Sequence, residues 1–107
     1  MKVENRIKRN VDFNKVIDEG SVIKADSLTM YFMKNNLDRS RIGISIPKKS
    51  GHAVLRNKMR RQIRAIVGQT FDLTKSIDYV FVARKKFDVN AFEKTKADIV
   101  YLIGKVG

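Results

Sequence analysis

The stretch over residues 47–64 constrains the fold of this chain most, because its charged and apolar residues separate at a helical repeat. Its seven cations are Lys48, Lys49, Arg56, Lys58, Arg60, Arg61 and Arg64. No Asp or Glu occurs in residues 39–71. We expect a helix over about residues 51–67, followed by Gly68, whose apolar side carries Leu55, Met59, Ile63 and Ile66. The pattern predicts a helix that packs on a core with one face and binds an anion with the other.

The single sign of the charge on this helix indicates a partner. Like charges four residues apart disfavour a helix by roughly a few tenths of a kcal/mol each, and a solvated helix face normally mixes cations with Glu and Asp. Residues 39–71 carry +9 of the net charge of +12. Most of the helix cations are arginines, whose planar groups bind phosphate through two hydrogen bonds and stack on bases. Nucleic acid is therefore favoured over a membrane surface.

Length and residue content limit the remaining possibilities. The 107 residues predict a single domain, residues 1–107, with a basic arm over residues 1–9 that packs only through Ile7. The chain has no Cys, which excludes a disulfide framework and a thiolate metal site. No apolar signal segment follows the basic N-terminus, and no window approaches the roughly 18 apolar residues of a membrane span. We expect a cytoplasmic protein without a membrane partner.

The first regular element after the arm is predicted to be a short helix. Asn10 is a suitable N-cap, and Gly20 would follow the last helical residue, Glu19. Phe13 and Ile17 fall on one side of this helix. Since two to three turns are only marginally stable in isolation, the helix must dock on the rest of the fold through these two residues.

Two strands are predicted between this helix and the basic helix. Residues 21–34 alternate as a strand that is interrupted around residues 24–26, and residues 41–46 form a second strand. We expect the two to pair as an antiparallel hairpin. Gly43 and Ser45 share one face of the second strand, where their small size leaves room for a ligand or for a covering side chain.

The last third of the chain predicts a central strand and a closing helix. Residues 77–84 are apolar on both faces, as in a strand buried on both sides. Asn90 and Glu93 form a capping-box pattern that opens the helix. Its core side would carry Phe92, Thr95, Ile99, Leu102, Ile103 and Val106. The order of elements predicts an α+β sandwich in which helices cover one face of the sheet and the other face stays partly open.

The sequence offers no pattern for a side-chain active site. Metal-independent cleavage of RNA needs a paired acid and base, whereas His52 is the one histidine of the chain. Two-metal hydrolysis needs clustered carboxylates, and the 11 acids are scattered. Glycine-rich phosphate loops are also missing. We expect a nucleic-acid-binding protein with no catalytic side chain and no metal of its own.

A spacing pattern runs through the basic stretch, on Lys48, Lys49, Gly51, Ala53, Val54, Arg56, Asn57, Arg60, Arg61 and Arg64. Further positions are Asn10, Asp12, Phe13, Lys15 and Val16, together with residues 42–45 and 79–84. Over nearly its whole length the chain closely resembles the protein component of bacterial ribonuclease P. The resemblance implies a small accessory protein that joins a catalytic RNA to form the endonuclease that removes 5′ leaders from precursor tRNAs.

The resemblance also implies a fold and a set of site residues. The fold is an αβββαβα sandwich with a mixed sheet, an open cleft and a left-handed crossover around the basic helix. The residues expected to bind RNA are Lys48, Lys49, Arg56, Asn57, Arg60, Arg61 and Arg64. Those expected to line a cleft for the single-stranded leader are Phe13, Ile17, Tyr31 and Ser45. The chemistry belongs to the RNA and the Mg²⁺ it holds, and the expected partners are this RNA and precursor tRNA, with no obligatory protein partner.

Two positions depart from the family pattern, and two other functions remain open. Ile17 stands where an aromatic residue is common, so apolar contact replaces stacking there. Pro47 stands where a small hydroxyl residue is common, which removes one hydrogen bond to the leader. Composition alone equally permits a structural RNA-binding protein of the ribosome. Sequence-specific reading of DNA is weaker, because recognition helices usually belong to compact helical motifs.

Overall fold

A computed structural model describes residues 5–106, which form three α-helices and four strands. Their order is α1 (Asn10–Glu19), β1 (Ser21–Lys24), β2 (Leu28–Lys34), β3 (Arg41–Ser45), α2 (Ala53–Thr70), β4 (Ile77–Ala83) and α3 (Phe92–Gly104). One turn of 3₁₀ helix, Lys48–Ser50, precedes α2. The predicted α+β class and the αβββαβα order are confirmed. The left-handed sense of the crossover stays a prediction.

The strands form one mixed sheet in the order β1-β2-β4-β3. The β1–β2 and β2–β4 pairs are antiparallel, and β3 runs parallel to β4. The predicted hairpin between β2 and β3 is therefore wrong, since β4 lies between them. All seven residues of β2 find partners on β4, from Leu28 opposite Ala83 to Lys34 opposite Ile77. Because β4 is apolar on both faces, the centre of the sheet is the position that buries it best.

One face of the sheet forms the main core with the two longer helices. Its buried residues on the strands include Leu28, Met30, Tyr79 and Phe81, and those on the helices are Met59, Ile63, Ile66, Val67, Ile99 and Leu102. The ring of Phe71, just after α2, meets the Tyr79 ring edge-on at 5.0 Å between centroids. The apolar sides predicted for α2 and α3 are thus confirmed as core.

The opposite face of the sheet is covered in part by α1. Val16 of α1 is 1% exposed, and Val80, which alternates with Tyr79 and Phe81, is fully buried on this side. The ring of Phe13 lies over Gly43. The prediction of helices on one face therefore holds for α2 and α3, whereas α1 packs on the other face and leaves the rest of it open. A covering side chain, that of Phe13, takes the room left by Gly43.

Three helix ends differ from the predictions. Helix α2 runs past Gly68 to Thr70, and Phe71, anchored in the core, ends it. Helix α3 starts at Phe92 without a capping side chain, and Asn90 lies in a preceding turn where its N–H donates to Asp88 Oδ1 at 2.8 Å. Asn10 is the first residue of α1 and not its cap. Local propensity therefore predicts the helices and the end of α1 at Glu19 correctly, and it misses these three ends, which tertiary contacts decide.

The described part of the basic arm pairs with the outer edge of β3. Ile7 donates its N–H to Ile42 O at 3.0 Å, and Asn5, 7% exposed, donates its side-chain amide to Ser40 O at 2.8 Å. The prediction that the arm packs only through Ile7 is wrong because Asn5 is buried as well. Residues 1–4 of the predicted arm lie outside the described residues. The pairing covers an edge strand that would otherwise be open.

Candidate nucleic-acid interface

The acids in the described part of the chain do not neutralise the basic face of α2. Asn57 and Arg61 are exposed, while Arg56, Arg60 and Arg64 are half-buried. Within residues 5–106 no ion pair joins a cation of α2 to a carboxylate. Arg60 instead donates to the Asn57 side-chain oxygen at 3.0 Å. The helix presents a row of guanidinium groups with an amide among them, as its spacing predicts.

The entry to α2 adds two exposed lysines to this surface. Lys48 and Lys49 lie on the 3₁₀ turn. Gly51, with φ of 144°, then turns the chain into α2, a conformation that side chains disfavour. Arg56 Nε donates to Gly51 O at 3.2 Å, which ties the turn to the helix. His52 is exposed immediately before α2.

A depression of about 370 Å³ lies between α1, β3 and α2. We call it the central groove. Phe13 and Ser45, two of the predicted leader-binding residues, line it together with Arg60 and Arg64 of the predicted RNA-binding set. Ile17 and Tyr31 are half-buried and do not line the groove. The structure thus places two of the four predicted cleft residues, Phe13 and Ser45, next to the basic helix.

Arg64 is a partly buried cation of the central groove. Its Nε is buried and has no hydrogen-bond partner among the described residues. Burial lowers the pKa of the Arg64 guanidinium, and the charges of Arg6 and Arg60 lower it further. Two like charges beside a partly desolvated cation raise the energy of the free protein. An anion in the groove would supply the opposite charge.

Arg6 was not among the predicted site residues, although it lines the central groove. Its position follows from the bridge between Arg6 and Ile42, which pairs residues far apart in the chain. The basic character of the arm was visible in the sequence. The groove was not visible, because no local sequence pattern indicates that the arm pairs with a strand so far away in the chain.

A second depression, about 660 Å³, lies at the end of β4 and combines apolar walls with cations. Pro47 and Phe87 line it together with Lys49, Arg84 and Lys85. Arg84 donates to Ala25 O at 2.8 Å, which holds its side chain near the β1–β2 turn. Arg84 and Lys85 extend the basic surface beyond the predicted site. The run of three cations at residues 84–86 is the sequence pattern that could have indicated this extension.

Across residues 5–106, no three His, Asp or Glu side chains are grouped so that they could hold a metal ion. None of the helices described by the structure combines the length and the hydropathy needed to cross a membrane.

Sequence comparison links the chain to one family. The family model described as "Ribonuclease P" matches residues 1–107. The "Ribonuclease P protein component" of Bacillus velezensis is 36% identical over 106 residues, which cover 98% of this chain and 91% of that protein. The Streptococcus pneumoniae protein of the same name is 31% identical over 104 residues, which cover 96% and 85% of the two chains.

Structure comparison gives the same answer. The ribonuclease P protein of Thermotoga maritima aligns with a TM-score of 0.81 and 27% identity, covering 95% of this chain and 97% of that one. The Staphylococcus aureus protein aligns with a TM-score of 0.78 and 31% identity, covering 95% and 96%. The fold that places α1, the sheet and α2 around the central groove is therefore shared with these solved structures.

Proposed function

The chain belongs to the ribonuclease P protein family, and we propose on this premise that it binds a catalytic RNA and promotes removal of the 5′ leader from precursor tRNA. The protein contributes binding free energy. The RNA and its Mg²⁺ ions carry out the hydrolysis.

The observation that carries this proposal is the composition of the central groove. An aromatic ring, Phe13, and a hydroxyl, Ser45, face the same space as the guanidinium groups of Arg60 and Arg64. A single strand with little sequence preference requires a stacking surface beside a positive surface that follows its backbone. The like charges of Arg6, Arg60 and Arg64, which line the groove together, support a phosphate there, because phosphate carries the opposite charge.

The two parts of the surface have different roles in this proposal. The cations of α2 and of the 3₁₀ turn contact the catalytic RNA and the junction between tRNA and leader, and two of them, Arg60 and Arg64, also border the central groove. The central groove receives the leader, where Phe13 stacks on a base. Ile17 and Tyr31 extend the apolar wall of this cleft beyond the groove. Phosphate contacts of this kind set position and affinity, whereas contacts to bases set preference.

Precursor-tRNA cleavage by the catalytic RNA of the same organism tests the proposal. At Mg²⁺ concentrations too low for the RNA alone, adding the protein should stimulate cleavage at the 5′ end of the mature tRNA. Arg64→Ala should reduce the stimulation. Lys94→Ala is the matched control, because it also removes a cation but lies on α3 in an exposed ion pair with Asp26 at 3.0 Å.

Two outcomes would contradict the proposal. The first is an RNA whose cleavage rate does not change when the protein is added. The second is cleavage of precursor tRNA by protein rigorously freed of RNA, which would place the chemistry on the polypeptide. The alternative of a structural ribosomal protein finds no support in the comparisons, since the family model and the relatives are ribonuclease P proteins.

A further inference from the structure

Arg41 joins three elements of the fold beside the central groove. From its place on β3 its guanidinium holds Asp78 of β4 through two hydrogen bonds, Nε to Oδ1 at 2.9 Å and Nη2 to Oδ2 at 2.6 Å. Its remaining nitrogen, Nη1, lies 3.3 Å from Oδ2 of Asp12 on α1. Asn35 donates to Asp78 Oδ1 at 2.7 Å, which fixes that carboxylate from a second side. The hydrogen bonds to Asp78 thus fix the Arg41 side chain on the sheet, and its contact with Asp12 links the sheet to α1.

The two ends of α1 are attached by different means. At its C-terminal end, Gly20 packs so closely against the backbone of β2 that an added Cβ would lie 2.7 Å from Phe32 O. Val16, in the same half, is buried against the sheet. At the N-terminal end, the polar link to the sheet is the contact between Asp12 and Arg41. A helix of ten residues does not hold its place by its own stability.

Phe13 directly follows Asp12, and its ring rests on Gly43. Arg41, Gly43 and Ser45 are every second residue of β3 and therefore lie on the same face, about 7 Å apart. Along this face the residue that holds Asp12 comes first, the glycine under the Phe13 ring second, and the hydroxyl of the groove third. A rotation of α1 about its fixed C-terminal half would displace the ring from this row. The contact of Arg41 with Asp12 opposes that rotation.

We propose that Arg41 is a positioning residue for the leader: by holding Asp12 it fixes the N-terminal half of α1 and so sets the place of Phe13 in the central groove. The inference rests on the proposed function, since the place of Phe13 matters to the reaction only if the groove receives the leader. Arg41 itself is not among the lining residues of the groove.

The geometry explains why this position carries arginine. Asp78 occupies two nitrogens on one side of the planar group, and the third nitrogen extends to another element. A lysine offers a single nitrogen, which can remain on Asp78 but cannot also span to Asp12 with the same geometry. Arg41→Lys should therefore keep the buried charge pair and lose the link to α1.

Asp12→Asn and Arg41→Lys test the link together. Asp12→Asn leaves the buried pair of Arg41 and Asp78 intact but also removes the exposed contact of Asp12 with Arg9 at 3.1 Å, whereas Arg41→Lys keeps that contact. The measurement is the ratio of affinities for precursor and mature tRNA in complex with the catalytic RNA, with folding checked by urea unfolding. We expect Asp12→Asn and Arg41→Lys each to lower this ratio by about threefold to tenfold. Asp26→Asn is the matched control: it makes the same chemical change in an exposed ion pair on the far side of the sheet and should leave the ratio unchanged.

A double mutant separates positioning from general stability. In a Phe13→Ala background, Asp12→Asn should lower the ratio no further, because the ring that it positions is gone. An unchanged ratio in folded Asp12→Asn, or an effect that adds in full to that of Phe13→Ala, would overturn the role of Arg41. Equal affinity of the wild-type complex for the two tRNAs would instead contradict the proposed function itself.

Discussion

The ring of Phe13 packs directly on the backbone of Gly43: a Cβ built on this glycine would lie 2.8 Å from Cδ2 of the ring. No real Cβ tolerates such an approach, so the absence of a side chain at position 43 lets α1 approach the sheet. The close approach of the Phe13 ring to the sheet therefore requires glycine at position 43.

Gly43→Ala should displace the Phe13 ring and with it the leader. We expect a loss of about 1 to 3 kcal/mol in the free energy of unfolding from overpacking, and a lower affinity for precursor tRNA with little change for mature tRNA. Urea unfolding and binding to the two tRNAs measure these effects. Gly104→Ala is the control, since nothing lies within 4 Å of its added Cβ. A Gly43→Ala protein as stable as wild type would contradict the packing argument.

Phe13→Ala should weaken binding of precursor tRNA more than binding of mature tRNA. Stacking of a base on an aromatic side chain contributes about 1 to 3 kcal/mol, and the mature tRNA has no leader to stack. Equilibrium binding to the assembled complex measures the difference. Equal losses for both tRNAs would remove the assignment of the groove to the leader.

Arg60→Ala and Arg64→Ala should each weaken binding to the catalytic RNA by about 1 to 3 kcal/mol, as expected for a lost charge-assisted hydrogen bond. Each should also reduce the dependence of log affinity on log salt concentration by about one unit, because one fewer phosphate is neutralised. A salt titration of RNA binding provides the measurement. If the slope did not change, neither arginine would contact phosphate.

The same substitution at two half-buried arginines should lower the free energy of unfolding at one site only. Arg64→Met keeps the apolar stem and removes an unpartnered charge, so the free energy of unfolding should stay the same or rise by up to about 1 kcal/mol. Arg41→Met leaves Asp78, whose side chain is 6% exposed, without its charge partner and should cost about 3 kcal/mol or more. Urea unfolding in a buffer of weakly bound anions checks both. Similar losses at the two sites would show that Arg64 is stabilised within the free protein.

The contact of Asp12 with its arginines should fail in acid. The hydrogen bond from Arg9 lowers the pKa of the Asp12 carboxyl against the opposing effect of burial, and the charges of Arg9 and Arg41 lower it further. A carboxyl whose pKa is lower in the folded state stabilises that state above its unfolded pKa, and the stabilisation is lost as pH falls through the folded pKa. The difference in unfolding free energy between wild type and Asp12→Asn should therefore be constant above about pH 5 and shrink below about pH 4. A difference that persisted at the lowest pH would show that Asp12 acts without its charge.

Local patterns were sufficient for the parts of the fold that depend on one element at a time. Met59 and Ile63 on one side of α2 and the arginines on the other follow from a single helical repeat. Ile99 and Leu102 of α3 do as well. The sequence predicts a central strand over residues 77–84 because both of its faces are apolar, and the structure has this strand at Ile77–Ala83. Each of these inferences needs only the residues of the element itself.

Contacts between distant residues account for what the sequence did not reveal. Strands β2 and β3 follow each other in the chain, which favours a hairpin, yet β4 separates them. Arg6 reaches the central groove only through pairing with β3, and Arg41 finds Asp12 and Asp78 on two other elements. The same limit applied to the site: the basic helix was evident, whereas its meeting with Phe13 and Ser45 depends on how α1 docks.

The central place of β4 also sets an order of assembly. Chain order and sheet order differ, so a polypeptide emerging from the ribosome can close the β1–β2 hairpin early but holds β3 apart until residues 77–83 arrive. Helix α2 lies in the connection between β3 and β4, and its apolar side packs with Tyr79 and Phe81 of that late strand. Contacts between segments far apart in the chain form slowly. The arginine-lined surface, although residues 53–70 encode its helix, can thus reach its final place only after β4 has been made.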